Sequence, residues 1–114
     1  MGVFMYANNF TPKLAETVSV EKMLVDLVPG FLKNKMDDLQ SINTMIQQKD
    51  YSKIQKIGHN WKGACPSYGF HYLGEVGKQF ELLVQNQDYK SLEDLVQTLP
   101  AYLKNVTIEY STDY

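Results

Sequence analysis

The stretch that decides the fold is Asp50-Tyr51-Ser52-Lys53-Ile54-Gln55-Lys56-Ile57-Gly58-His59-Asn60-Trp61-Lys62-Gly63-Ala64-Cys65-Pro66-Ser67-Tyr68. Tyr51, Ile54, Ile57, Trp61, Ala64, Cys65 and Tyr68 recur at three- and four-residue steps, the period of an amphipathic helix. At about 100° per residue they fall in a band roughly 120° wide, a normal width for a face packed on a core. His59 lies about 160° from the centre of that band and is predicted to face solvent. Gly63, one turn later, lies about 40° from His59, and Lys62 lies about 60° to its other side. One exposed ridge is therefore predicted to hold an imidazole, an ammonium and a bare patch of backbone.

Working outward, residues 1–18 show no sustained period and read as an irregular N-terminal arm. From Ser19, a plausible N-cap, the residues Val20, Met23, Leu24, Leu27, Val28, Phe31, Leu32, Leu39, Ile42, Met45 and Ile46 give a helical stripe. Pro29-Gly30 interrupts it, and proline inside a helix forces a kink or a fresh start. Asp50 can cap the helix quoted above. A third helical pattern runs from about Phe70 to Val84 through Leu73, Val76, Phe80 and Leu83. Asp88 can cap a fourth, carrying Leu92, Leu95, Val96, Leu99, Leu103, Val106 and Tyr110. No segment alternates strongly enough to be read as a strand. Short links between such helices favour antiparallel neighbours. The expected fold is all-α: an up-and-down antiparallel four-helix bundle over 19–114, preceded by the arm at 1–18. Lys49-Asp50-Tyr51-Ser52-Lys53-Ile54 echoes Gln87-Asp88-Tyr89-Lys90-Ser91-Leu92, but the likeness fades after one turn. It reads as two helices begun by the same capping chemistry rather than as a repeat array.

Composition narrows the function. The chain has 114 residues, 44% apolar and 21% charged, with a net charge of −2, as expected of one folded domain. All eleven basic residues are lysines. Without arginine, the usual fork for phosphate backbones and guanine edges, nucleic-acid binding is disfavoured. A single cysteine, Cys65, allows neither an internal disulfide nor a thiolate cluster, and as part of the apolar stripe it reads as a small buried residue. The first residues do not form a signal peptide, and Tyr6 stands where an N-myristoylation signal needs Ser or Thr. No apolar run approaches a membrane span. The cytoplasm is the simplest location. A monomer is expected, because no helix is apolar all round.

A neutral imidazole nitrogen is a nucleophile near pH 7 without a base to activate it. An ammonium three residues away can offset the charge of an incoming phosphoryl group. Glycine costs roughly 0.5–1 kcal/mol in a helix, and Gly58 and Gly63 bracket His59, which suggests close approach by another macromolecule. No paired acid and base can be placed on one helix face. A metal site joining His59 to His71 lacks neighbouring ligands at suitable spacing, so no metal is expected. His71 reads as a surface or helix-start residue. Trp61, Tyr51 and Tyr68 read as core, and Lys33, Lys35, Asp37 and Asp38 as a solvated helix face.

His59-Asn60-Trp61-Lys62-Gly63-Ala64-Cys65, followed by Tyr68-Gly69-Phe70 and Leu73, resembles the histidine phosphotransfer (HPt) family pattern of a His, two residues, then Lys-Gly and small residues with a further Gly. Val28-Pro29-Gly30-Phe31-Leu32 and the Asp50 cap resemble one branch of that family. A weaker match runs through Val76, Phe80-Glu81 and Asp88, so the resemblance spans about residues 20–108. It implies that His59 carries the phosphoryl group on the ring nitrogen remote from the backbone. It implies too that Lys62 stabilises that group and that Gly63 clears room for a docking receiver domain. The implied protein is a carrier without an ATP site or cofactor of its own, since Mg²⁺ and the catalytic aspartates of such relays belong to the receiver. Its partners would be receiver domains and a hybrid sensor histidine kinase, and the implied protein is a free-standing member of a multistep phosphorelay. The competing reading is a non-phosphorylated binding module, a decoy or inhibitor docking on a kinase or receiver. Trp61 and Phe70 depart from the usual residues of the family. Pro66 departs too: it lacks the N–H for the carbonyl of Lys62 and is predicted to bend the helix or end it early.

Overall fold

The computed structural model describes residues 6–112. The readings on Met1–Met5 (no signal peptide, no lipidation signal) lie outside them. Four helices follow one another: α1 (Val28–Gln47), α2 (Tyr51–Ala64), α3 (His71–Gln85) and α4 (Tyr89–Asn105). Two short strands flank them, β1 (Glu16–Glu21) and β2 (Val106–Ser111). The expected four-helix bundle is present, and Trp61, Phe70, Phe80, Ile42, Ile54, Leu73, Leu92, Leu95, Leu99 and Tyr102 fill its core. Among the described residues no helix is long and apolar enough to cross a membrane.

All three helix-to-helix junctions use one device. Lys49, Gly69 and Gln87 adopt left-handed backbone angles, with φ of 56°, 93° and 57°. The amide after each bonds a carbonyl five residues back: Asp50 to Met45, Phe70 to Cys65 and Asp88 to Leu83. Each left-handed residue bonds a carbonyl three back, which completes the Schellman arrangement at a helix end. Asp88 then caps α4 by accepting from the Ser91 amide, as expected. Asp50 instead accepts from the Ser52 hydroxyl and pairs with Lys53. The echo between the two Asp-Tyr segments is thus shared junction chemistry, and Tyr51 and Tyr89 stack at 3.7 Å between ring centroids.

Four readings need correction. Ser19 is not an N-cap; it lies in β1, opposite Glu109 of β2. The two strands pair in parallel from Glu16↔Val106 to Glu21↔Ser111, with the whole bundle as the crossover between them. Thr17-Val18-Ser19-Val20-Glu21 does alternate, with Val18 and Val20 buried, so Val20 belongs to a two-residue period rather than the helical stripe, and the end of the arm is a strand. Likewise α4 stops at Asn105, and Val106 and Tyr110 belong to β2. Second, the helical stripe does not run back from Val28 to Val20, and Pro29 marks a fresh start, one of the two outcomes expected of it. It sits in the first turn of α1, where its missing N–H has no partner to lose, and Lys22–Leu27 before it is a 3₁₀ segment with Met23 and Leu27 exposed. Third, Lys35 is buried and Asp38 only partly exposed. Lys35 is 7% exposed, pairs with Asp38 at 3.6 Å and lies over the rings of Phe31 and Trp61. Only Lys33 and Asp37 form an exposed pair.

The fourth correction concerns Gly58, which is buried and faces α3. A Cβ there would stand 2.6 Å from the carbonyl oxygen of Gly77, and one on Gly77 would stand 2.5 Å from the carbonyl oxygen of Gly58. The two helices therefore meet backbone to backbone. Around Gly63 a Cβ would meet nothing within 4 Å.

Before β1 the arm is irregular but fixed. The buried Gln79 amide of α3 accepts from the Ala7 N–H at 3.1 Å and donates to its carbonyl at 2.9 Å. Tyr72 accepts from the Lys13 amide, and Tyr102 donates to Glu16 at 2.5 Å.

The two glycines give opposite expectations. Gly77→Ala must push rigid backbone apart and is expected to lower stability by about 1–3 kcal/mol in urea unfolding. Gly63→Ala, in open space, is expected to leave it unchanged or raise it by up to about 1 kcal/mol. Equal effects of the two would contradict the packing described.

Candidate functional site

The site begins with the anchoring of α2. Trp61 is fully buried; its indole N–H donates to Asp38 at 2.8 Å and its ring packs on Phe80 at 5.6 Å. With Gly58 against α3 and Trp61 against α1 and α3, the remaining face of α2 is turned outward. His59 lies there with its side chain 69% exposed, and Lys62 with its side chain 46% exposed. Gly63 and Ala64 continue the same open surface. The ridge expected from the periodicity is present.

Pro66 does not disturb it. The α-helix ends at Ala64, and Cys65–Tyr68 forms a 3₁₀ turn. The proline ring rests where Gly74 of α3 leaves room, so the early end expected of Pro66 falls beyond Lys62. Cys65 is fully buried, and burial pushes its thiol up to about 12, which keeps it from acting as a nucleophile. His71 is exposed at the first position of α3. Among the described residues no cluster of three or more His, Cys, Asp or Glu could hold a metal ion.

A residue that the sequence did not single out completes the site. Glu81 of α3 reaches the ridge with its side chain 16% exposed, and its two oxygens are divided. Oε1 accepts from Lys62 Nζ at 2.9 Å, and Oε2 lies 3.1 Å from His59 Nδ1. No acid and base could be paired on one helix face because this pair spans two helices and 22 residues of chain. The signal available was positional: Glu81 follows Gly77 by one turn, on the face that Gly77 brings against α2.

The contact with Glu81 orients the ring. A carboxylate only accepts, so a hydrogen bond between them is donated by Nδ1. Nε2 has no hydrogen-bond partner among the described residues and opens to solvent. The site thus presents an oriented ring nitrogen with an ammonium one turn away and open backbone beside it.

Glu81 is held below the ordinary glutamate range, first by the hydrogen bond from Lys62 and further by that from His59, against the opposing effect of burial. A carboxyl with a lowered folded-state value stabilises the fold fully above the unfolded value, near pH 4.3, and loses that contribution as pH falls through the lowered value. The stability difference between wild type and Glu81→Gln is therefore expected to be larger at about pH 6 than at about pH 2. Urea unfolding at both values checks this, and an unchanged difference would rule it out.

The model of the Hpt domain family matches residues 26–108, well over half of the chain. No curated protein and no solved structure matches it. The matched span takes in all four helices, with His59, Lys62, Gly63 and Glu81 among them. Domains of this family are helical carriers of phosphoryl groups in two-component signalling, working with receiver domains and histidine kinases. This chain belongs to the Hpt domain family.

Proposed function

We propose that the chain is a phosphotransfer protein of a multistep phosphorelay, accepting a phosphoryl group on Nε2 of His59 from a receiver aspartate and passing it to a second receiver. The first receiver would be that of a hybrid sensor histidine kinase. The observation that carries this reading is the outward-facing His59 ring, 69% exposed, with Nδ1 engaged by Glu81 at 3.1 Å, which leaves Nε2 for the incoming group. A neutral imidazole nitrogen attacks phosphorus without a proton transfer to prepare it.

Lys62 supports the same reading from its place one turn away. Its ammonium can turn toward a phosphoryl group on Nε2 and offset the added charge, about −2 at neutral pH. Gly63 would serve docking: the empty space above its backbone lets another protein approach the imidazole closely. The basic character of α2 suits a partner whose reacting centre is a cluster of carboxylates. Between Tyr51 and Ala64 the helix carries Lys53, Lys56 and Lys62 and no acidic residue. Steering of this kind speeds encounter more than it tightens binding.

Incubation with a phosphorylated receiver domain is expected to place acid-labile phosphate on the wild-type chain and none on His59→Gln. Labelling of His59→Gln would refute the assignment. Binding without any label on the wild type would favour a docking module instead. Gly63→Gln is expected to fold normally yet slow transfer from the receiver by about tenfold or more, a docking loss of about 1.4 kcal/mol.

A further inference from the structure

We propose that β2 pairs along its open edge with β2 of a second copy of this chain, antiparallel and across a two-fold axis centred on Ile108. His59 takes no part in this contact.

The strands are an addition to the four helices. β1 precedes the span matched by the family model, and that span ends at Ile108, midway along β2. The two strands form a sheet of their own, with no third strand beside them among the described residues. Two strands without a third are marginal. β1 is the inner one: Val18 and Val20 are buried, and the turn at Gly69 lies against the Ser19 carbonyl. β2 is the outer one. On its core side Val106 and Ile108 are only half-buried and Tyr110 is 37% exposed, so the apolar face runs out past the cover of the bundle. Edge strands are commonly blunted by lysine, proline or a bulge. Between Val106 and Ser111 there is neither lysine nor proline, and the register with β1 is unbroken. The single charge, Glu109, lies with Thr107 on the outer, polar face. Just before β2, Asn105 bonds the Leu14 carbonyl, which sets another exposed apolar side chain beside the strand.

The order of the side chains selects the occupant. Directly opposed residues of an antiparallel pair share a face, so a two-fold axis through the sheet passes through a residue. Centred on Ile108, Val106 meets the copy's Tyr110, Ile108 meets the copy's Ile108, and Thr107 meets the copy's Glu109. The apolar stripe then continues across both strands, and no two like charges are opposed. Centred on Glu109, two carboxylates would face each other, which is unfavourable. Centred on Thr107, Tyr110 would have no strand residue opposite it. Parallel pairing about a two-fold would turn the copy's apolar stripe onto the polar face. The strand is thus complementary to itself in one arrangement, as a closed two-fold contact requires. The monomer expected from the helices takes no account of strands that their period does not show.

The test is sedimentation velocity of the full chain from about 10 µM to about 1 mM. A reversible passage from monomer to dimer is expected within that range, because so short a contact belongs to the weak end of specific interfaces. Thr107 is exposed and can be replaced without touching the core. Thr107→Glu sets a carboxylate opposite the copy's Glu109 twice over, and should raise the dissociation constant about threefold to thirtyfold. Thr107→Lys should lower it by about threefold or more. Adding Glu109→Lys to Thr107→Glu should restore the wild-type value. Circular dichroism of the monomers checks that each variant is folded, and the lysine variant keeps the test decisive if the glutamate one is not. A wild type still monomeric at about 1 mM overturns the proposal and leaves the edge to a strand of another protein. A dimer indifferent to all of these substitutions overturns this edge and this register.

Discussion

The rest of the structure depends on a contact between two stretches of backbone. Where Gly58 and Gly77 meet, each occupies the space a side chain of the other would need, and their carbonyl oxygens leave no room for even a methyl group. Helices with ordinary side chains at a crossing stand about 8–10 Å apart. Here the absence of side chains lets α2 and α3 come closer. The gain in packing outweighs the helix propensity lost at two glycines, about 1 kcal/mol each. It also decides what can touch what. A glutamate on α3 reaches an imidazole and an ammonium on α2 because the axes are this close.

The two glycines around His59 therefore do different work, although both had suggested an approaching partner. Gly58 is an internal packing residue, and Gly63 faces open space. The indole of Trp61, bonded to Asp38 and lying between Phe80 and Lys35, fixes the rotation of α2 about its axis. With the rotation and the separation both set, the direction of the His59 ring needs one further restraint. Glu81 supplies it by engaging Nδ1. The imidazole, the carboxylate beside it and the ammonium are held on helices rather than loops, which fixes their mutual geometry.

Away from the site, economy of means is visible in the junctions. A lysine, a glycine and a glutamine each take the left-handed position that ends a helix. Only Gly69 does so for a reason beyond the turn itself: a Cβ there would stand 2.6 Å from the Ser19 carbonyl oxygen of β1. The arm, the parallel strand pair and the bundle are tied together by Gln79, Tyr72 and Tyr102, each of which gives a polar atom to the arm or the start of β1.

By itself the sequence determined the four helices, their order and the outward direction of His59, Lys62 and Gly63, because a 3.6-residue period places side chains on faces without reference to anything distant. It also determined Asp88 as a cap, since capping is chemistry within one turn. The strands escaped it: five residues of alternation, as in Thr17 to Glu21, are too few to outweigh a neighbouring helical stripe, and their partner lies some ninety residues away. Lys35 escaped as well, because a lysine paired with an aspartate of its own helix is buried only when another helix brings a tryptophan over it. Tertiary structure alone decided that Glu81 belongs to the site and that Gly58 does not serve a partner. Both follow from how closely two helices approach, a distance set by shapes meeting in space and carried by no local period.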